Sequence, residues 1–206
     1  MGKYTKYYKK ITPFKFSNII HVRTEHPPKY SNYRKYKSYL QLEFNNKCVY
    51  CRKSDSLQDP SAFHVEHYKP KKYFLSLETD YDNLLYSCAA CNRYKSSYWS
   101  EDIKKQILNP CIHVMNDYVG FDKKERSKII ARNDQGELFI RLLRLNNNLS
   151  VSYREQMEGL IISLLKNLVN IDLYTKKKEL DKVIDNLSKL IGEDKNHIIK
   201  ALHLAQ

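Results

Sequence analysis

The chain has 206 residues, 42% hydrophobic and 29% charged, with five glycines and six prolines. That composition excludes the disordered and collagen-like classes and fits one domain with an appendage or two small domains. Lys and Arg number 36 against 23 Asp and Glu, a formal charge of +13, which favours a polyanionic partner such as nucleic acid.

The excess charge is concentrated early. Between Met1 and Leu40 the basic residues are Lys3, Lys6, Lys9, Lys10, Lys15, Arg23, Lys29, Arg34, Lys35 and Lys37, and Glu25 is the only acidic residue. Tyr4, Tyr7, Tyr8, Tyr30, Tyr33, Tyr36 and Tyr39 are interleaved with them. Cations neutralise phosphates and aromatic rings stack on bases, so the segment reads either as a nucleic-acid contact or as a solvated basic arm with its tyrosines on the core. His26-Pro27-Pro28 breaks any regular element, and the spacing of Tyr33, Tyr36, Tyr39, Leu40 and Leu42 predicts a helix over Tyr30 to Phe44.

From Asn45 to about Trp99 the chain is dense in Cys, His and Asn. Short strands are expected around Phe63-His64-Val65 and Leu84-Leu85-Tyr86, a loop over Asp80 to Asn83, and a helix from near Cys88. Further on, Lys128 to Arg132 and Glu137 to Ile140 flank Asn133-Asp134-Gln135-Gly136, which reads as a β-hairpin. Two helical stripes follow: Met157, Leu160, Ile161, Leu164, Leu165, Leu168 and Val169, then Leu180, Val183, Ile184, Leu187, Leu190 and Ile191. Gly192 is expected to end the second, and Ile198, Ile199 and Leu202 mark a third, short helix. These stripes are core or a partner-binding face.

No apolar run approaches the roughly 18–20 residues of a membrane-spanning helix, and no signal-peptide pattern follows the basic N-terminus, so a cytoplasmic location is expected, with no membrane partner. Thiols stay reduced there, which makes the five cysteines metal ligands or inert groups rather than disulfides. Cys48-x-x-Cys51 and Cys88-x-x-Cys91 form two knuckles able to present four thiolates to a structural Zn2+. Cys111 stands apart and reads as a buried free thiol.

Within the loop those knuckles close lie His64-Val65-Glu66-His67-Tyr68-Lys69-Pro70 and Tyr81-Asp82-Asn83-Leu84, followed by Cys91-Asn92-Arg93-Tyr94-Lys95. This pattern resembles the HNH endonuclease motif with embedded zinc knuckles. The resemblance implies two strands and a helix around one divalent cation, Mg2+ or Mn2+. It makes His67 the general base, Glu66 and Asn92 ligands of the catalytic ion, and Asn83 the residue that orients His67 through the loop backbone. A 5′ phosphate and a 3′ hydroxyl would be the products. Imidazole suits the base role because its ordinary pKa of about 6.5 lets it take a proton near neutrality. By strand alternation His64 shares a face with Glu66, as an added ligand, a phosphate contact or packing. Lys69, Lys71, Lys72, Arg93 and Lys95 surround the motif as phosphate contacts or as a solvated face.

A looser likeness through Asn109-Pro110-Cys111 and Leu143 to Arg154 is similar to HNH proteins of bacterial anti-phage systems. These include the nuclease subunit that accompanies an ATPase in Septu and retron systems, which implies an ATPase partner. The expected architecture is α+β and mostly helical. A basic arm and helix occupy 1–44, a ββα-metal core stapled by four cysteines 45–110, and a hairpin with C-terminal helices 111–206. The expected function is hydrolysis of DNA phosphodiesters. The alternative is a non-catalytic, zinc-stabilised nucleic-acid-binding module.

Overall fold

The computed structural model describes residues 12, 14–55, 60–122, 125, 127–170 and 177–202. Lys3, Tyr4, Lys6, Tyr7, Tyr8, Lys9 and Lys10 of the basic arm lie outside the described residues, as do His203 and the side chains of Leu168, Val169 and Leu202.

Residues 14–32 form no regular element, and the expected first helix is shorter than its periodicity suggested. Asn32 accepts the amide hydrogen of Arg34 (3.0 Å) and starts a 3-10 turn over Tyr33–Tyr36, which leads into α1 (Lys37–Glu43). Asn side chains compete with the helix for backbone donors, so the chain turns at Asn32 instead of continuing a helix from Tyr30. The turn and α1 bury Tyr36 and Leu40, and Phe44 is buried just beyond them. The helix stops at Asn45 and Asn46, both in the left-handed backbone region that Asn tolerates. Glu43 is buried at the end of α1. It accepts the amide hydrogens of Thr24 and Glu25 and meets His21 Nε2 at 2.7 Å, fastening the irregular N-terminal segment.

β1 (Phe63–His67) and β2 (Leu84–Cys88) pair antiparallel, with Val65 opposite Tyr86, and α2 (Ala89–Lys95) begins directly after Cys88. This is the strand, loop, strand, helix order expected from the sequence. The connecting loop is folded into 3-10 turns over Leu75–Leu77 and Tyr81–Asn83, the second capped by the Asp80 side chain.

The expected hairpin around Asn133 is not formed. β4 (Ile129–Ala131) pairs with the earlier β3 (Val119–Phe121), and Asp134–Leu142 is a helix, α3. The Asn-to-Gly segment that reads as a turn is a helix start: Asn133 Oδ1 accepts the amide hydrogen of Gly136 at 2.8 Å. Gly136 is needed there because a Cβ would lie 2.0 Å from the Tyr118 carbonyl oxygen.

Three further helices follow among the described residues: α4 (Asn148–Asn170), α5 (Lys177–Ile191) and α6 (Lys195–Leu202). Met157, Ile161 and Leu165 on α4 pack with Ile184, Leu187, Leu190 and Ile191 on α5, with Ile198 on α6 and with Phe14. Leu160, expected in the α4 stripe, is half exposed. Gly192, at φ 68°, ends α5, and Asp194 caps α6 by accepting the amide hydrogen of Asn196 (2.7 Å).

The larger core runs from Phe16 through α1, the β1/β2 hairpin, Ile107 and Leu108 to Leu145, and so draws on all three expected segments. Buried Arg154 on α4 joins the two cores by donating to the carbonyls of Ser127 and Leu145. Lys47 does the same through Glu193 (2.7 Å). No described helix is long and apolar enough to cross a membrane.

Candidate active site

The first knuckle turns directly after α1. Lys47 and Ser54 form an isolated bridge, the Cys48 amide donates to the Lys53 carbonyl (2.9 Å), and Arg52 takes the left-handed conformation that closes the turn. Val49 donates to the Tyr86 carbonyl (3.0 Å) and so hangs this knuckle on β2. The second knuckle is the end of β2 and the first turn of α2.

All four sulfurs are buried and lie within 4.8 Å of one another. Cys51 Sγ and Cys88 Sγ are 3.8 Å apart, far beyond a disulfide. A Zn–S bond of about 2.3 Å places tetrahedral neighbours about 3.8 Å apart, so the cluster has the dimensions of a four-cysteine zinc site. The charge balance points the same way. Burial pushes the Cys48 thiol up, but hydrogen bonds from the other three thiols outweigh it and hold it well below its usual value. Hydrogen bonding to Cys48, added to burial, pushes Cys51 and Cys91 well above theirs. Four such groups ionise together only around a cation.

β1 carries the next side chains. Glu66 is 3% exposed and His67 is 8% exposed. Glu66 Oε1 accepts from Lys95 Nζ at 2.5 Å, and the same ammonium donates to the His67 carbonyl at 2.7 Å. Lys95 was expected among the phosphate contacts, but it is buried and pins β1 to α2. Asn92 and Lys95 lie three residues apart on α2; Lys95 is the one that meets Glu66, and Asn92 lines the neighbouring cleft. Burial pushes the Glu66 carboxyl up to about 7, against the pull of the Lys95 ammonium.

His67 Nε2 lies 3.0 Å from the Glu78 carbonyl oxygen. A carbonyl only accepts, so Nε2 carries the hydrogen and Nδ1 keeps the lone pair. Burial holds the imidazole pKa below its ordinary value, so the ring is neutral at neutral pH. Asn83 builds the loop that supplies this carbonyl. Its Oδ1 accepts from the Lys69 amide (2.8 Å), while Nδ2 donates to the carbonyls of Lys69 (3.0 Å) and Leu77 (3.2 Å), the latter next to Glu78. Buried as it is, the Asn83 side chain ties both ends of the loop together.

His64 is exposed and lines a cleft of about 310 Å3 with Asn92 on one side and Tyr33 on the other. The Tyr33 ring also meets the His67 imidazole edge-on, with centroids 4.7 Å apart. His64 and Asn92 thus share one cleft, Glu66 is paired with Lys95 beneath β1, and His67 is linked to the cleft through the Tyr33 ring. Lys69 is half-buried with its ammonium over Phe74 and Trp99, Lys71 pairs with Glu78 (2.9 Å), and Lys72 and Arg93 are exposed. Cys111, read as a buried thiol, is partly exposed.

Two participants escaped the sequence reading, and a third was read in another role. The Glu78 carbonyl is a backbone group with no side-chain signal. Tyr33 was one ring among seven in a tyrosine-rich segment. Lys95 differs from neighbouring cations only in lying four residues after Cys91, one helical turn past the knuckle.

Comparison with known proteins agrees with this geometry. Residues 48–97 match the HNH endonuclease family. The chain is 25% identical over 174 residues to Septu protein PtuB of Bacillus thuringiensis, covering 78% of this chain and 65% of that protein. It is 23% identical over 196 residues to Septu protein PtuB of Bacillus mycoides (strain KBAB4), covering 75% and 65%. Against Septu protein PtuA of the same strain it is 24% identical over 188 residues, covering 74% of this chain and 26% of that protein. The chain therefore spans just under two thirds of the PtuB relatives it matches. Knuckles, hairpin and helix all fall within the residues that match the HNH endonuclease family, and the chain that carries them is similar to the Septu PtuB proteins.

Proposed function

We propose that this protein is an HNH endonuclease that hydrolyses the phosphodiester bonds of DNA with one catalytic divalent ion. The observation that carries the reading is the contact of His67 Nε2 with the Glu78 carbonyl, which orients the ring and leaves Nδ1 as an acceptor within the residues that match the HNH endonuclease family. Its Nδ1 takes the proton from the attacking water, and the Nε2 hydrogen bond holds the ring while charge develops on it. Glu66 and Asn92 offer hard oxygen donors suited to Mg2+ or Mn2+, with His64 as a third candidate. A divalent ion bound there would polarise the phosphoryl oxygens and stabilise the departing 3′ oxygen. The four cysteines take no part in the chemistry; as a Zn2+ site they fix the height at which α2 presents Asn92.

The similarity to Septu PtuB and PtuA supports a role in bacterial anti-phage defence with an ATPase partner. The absence of a membrane-length apolar helix among the described residues is compatible with work in the cytoplasm. The buried Glu66–Lys95 pair favours a second reading, a zinc-stabilised nucleic-acid-binding module whose carboxylate is already committed. Conversion of supercoiled plasmid to nicked circle, with and without Mg2+ or Mn2+ and with a co-purified partner added, separates the two. The nuclease nicks only when a divalent ion is present. The binding module shifts the plasmid on a gel and leaves it intact under every condition.

A further inference from the structure

The cleft lined by His64 and Asn92, which His67 meets through the Tyr33 ring, has two walls of different origin. One is β1 and α2, which present His64 and Asn92; the other is the 3-10 turn and start of α1, which present Tyr33, Arg34 and Lys37. None of the residues lining it is acidic. Tyr33 is the hinge between the walls. Its ring touches the His67 imidazole, the Lys71 ammonium lies 4.6 Å from its centroid, and the Arg34 guanidinium lies 5.3 Å from it. Lys71 is in turn paired with Glu78, whose carbonyl orients His67. Arg34 is exposed, and its backbone is fixed by the Asn32 cap.

We propose that this cleft is the path of one nucleic-acid strand, with Arg34 and Lys37 holding the phosphate next to the bond that reaches His67, and Tyr33 setting the distance between them. The proposal rests on the endonuclease reading for the bond, but the strand-binding site stands on its own geometry. A guanidinium at the rim of a cleft without acids matches the fork of a phosphate, and a ring clamped between imidazole and cations keeps the basic wall in register with the base. The register is set by packing, because Tyr33 precedes Arg34 in the same short turn.

The test is fluorescence anisotropy of a labelled single-stranded oligonucleotide over a series of salt concentrations, with no added divalent ion. Wild type is compared with Arg34→Ala, with Arg34→Ala/Lys37→Ala, with Arg34→Lys and, as a control on α5, with Lys189→Ala. Each lost phosphate contact reduces the slope of log affinity against log salt by about 0.7, so the double variant loses about 1.4 and binds at least roughly tenfold more weakly at low salt. Lys189→Ala matches wild type, and Arg34→Lys retains the slope. The proposal is overturned if the double variant binds with the affinity and slope of wild type. It is equally overturned if wild type does not bind, or if Arg34→Lys loses the slope as Arg34→Ala does. Strand binding with this pattern but no plasmid nicking would remove the endonuclease reading and leave the binding site. Nicking with unaltered binding in the double variant would do the reverse.

Discussion

Around the four cysteines the protein buries Glu66, Lys95, His67 and Asn83, each hydrogen-bonded or ion-paired, whereas the interior between α4, α5 and α6 is Met157, Ile161, Leu165, Ile184, Leu187 and Ile198. The first region places polar groups at fixed positions around a four-cysteine cluster with the dimensions of a zinc site. The second gains its stability from aliphatic area and specifies no chemistry. Buried polar groups are expensive when any partner is missing, so the first region should fail through loss of single contacts, and the second through loss of volume.

The largest effect is expected at the knuckles. Structural zinc contributes on the order of 10 kcal/mol in small motifs, so Cys91→Ser should release the metal and melt the β1/β2 hairpin. Metal content by elemental analysis and far-ultraviolet dichroism would follow the change. Retained α4–α6 helicity would sharpen the contrast between the regions, and simultaneous loss of both would break it.

Next comes the buried pair. Lys95→Met leaves Glu66 unpaired in the interior, which costs about 3–5 kcal/mol when a carboxylate must stay charged. The sign with pH follows from the carboxyl. Its folded value is about 7 against an ordinary 4.5, and loss of Lys95 raises it further. Both folded proteins gain stability as the carboxyl takes up its proton, the variant at higher pH than the wild type, so the variant's deficit should shrink as pH falls from about 8 through 7 and level off by about pH 5. Urea titrations of wild type and variant at both pH values would measure it; a deficit independent of pH would remove Glu66 as its cause.

In the aliphatic region, Leu187→Ala should cost about 2–5 kcal/mol by cavity formation, with no change in metal content and no dependence on pH over the same range. Metal loss in this variant would mean that the two cores fail as one.

The regions also differ in how much of them the sequence disclosed. The knuckles, the strand-loop-strand-helix order and Gly192 after α5 rest on local patterns, and local patterns can be read from neighbours along the chain. The Glu66–Lys95 pair joins residues 29 apart, and a lysine inside a basic motif reads as a phosphate contact until its burial is known. Asn133 to Gly136 misled for another reason. Asn and Gly suit a hairpin turn and a helix start alike, and here Asn133 caps a helix while β4 takes the earlier β3 as its partner. The helix from Tyr30 was overextended because periodicity ignores the cap at Asn32.

The account depends most on His67. The decisive measurement is the rate of plasmid nicking by wild type and His67→Ala at matched zinc content and melting temperature, with Mg2+ or Mn2+ and any co-purified partner present. Loss of a general base predicts a fall of about 10²- to 10⁴-fold with metal content and fold retained. A His67→Ala protein that nicks as fast as wild type would contradict the assignment.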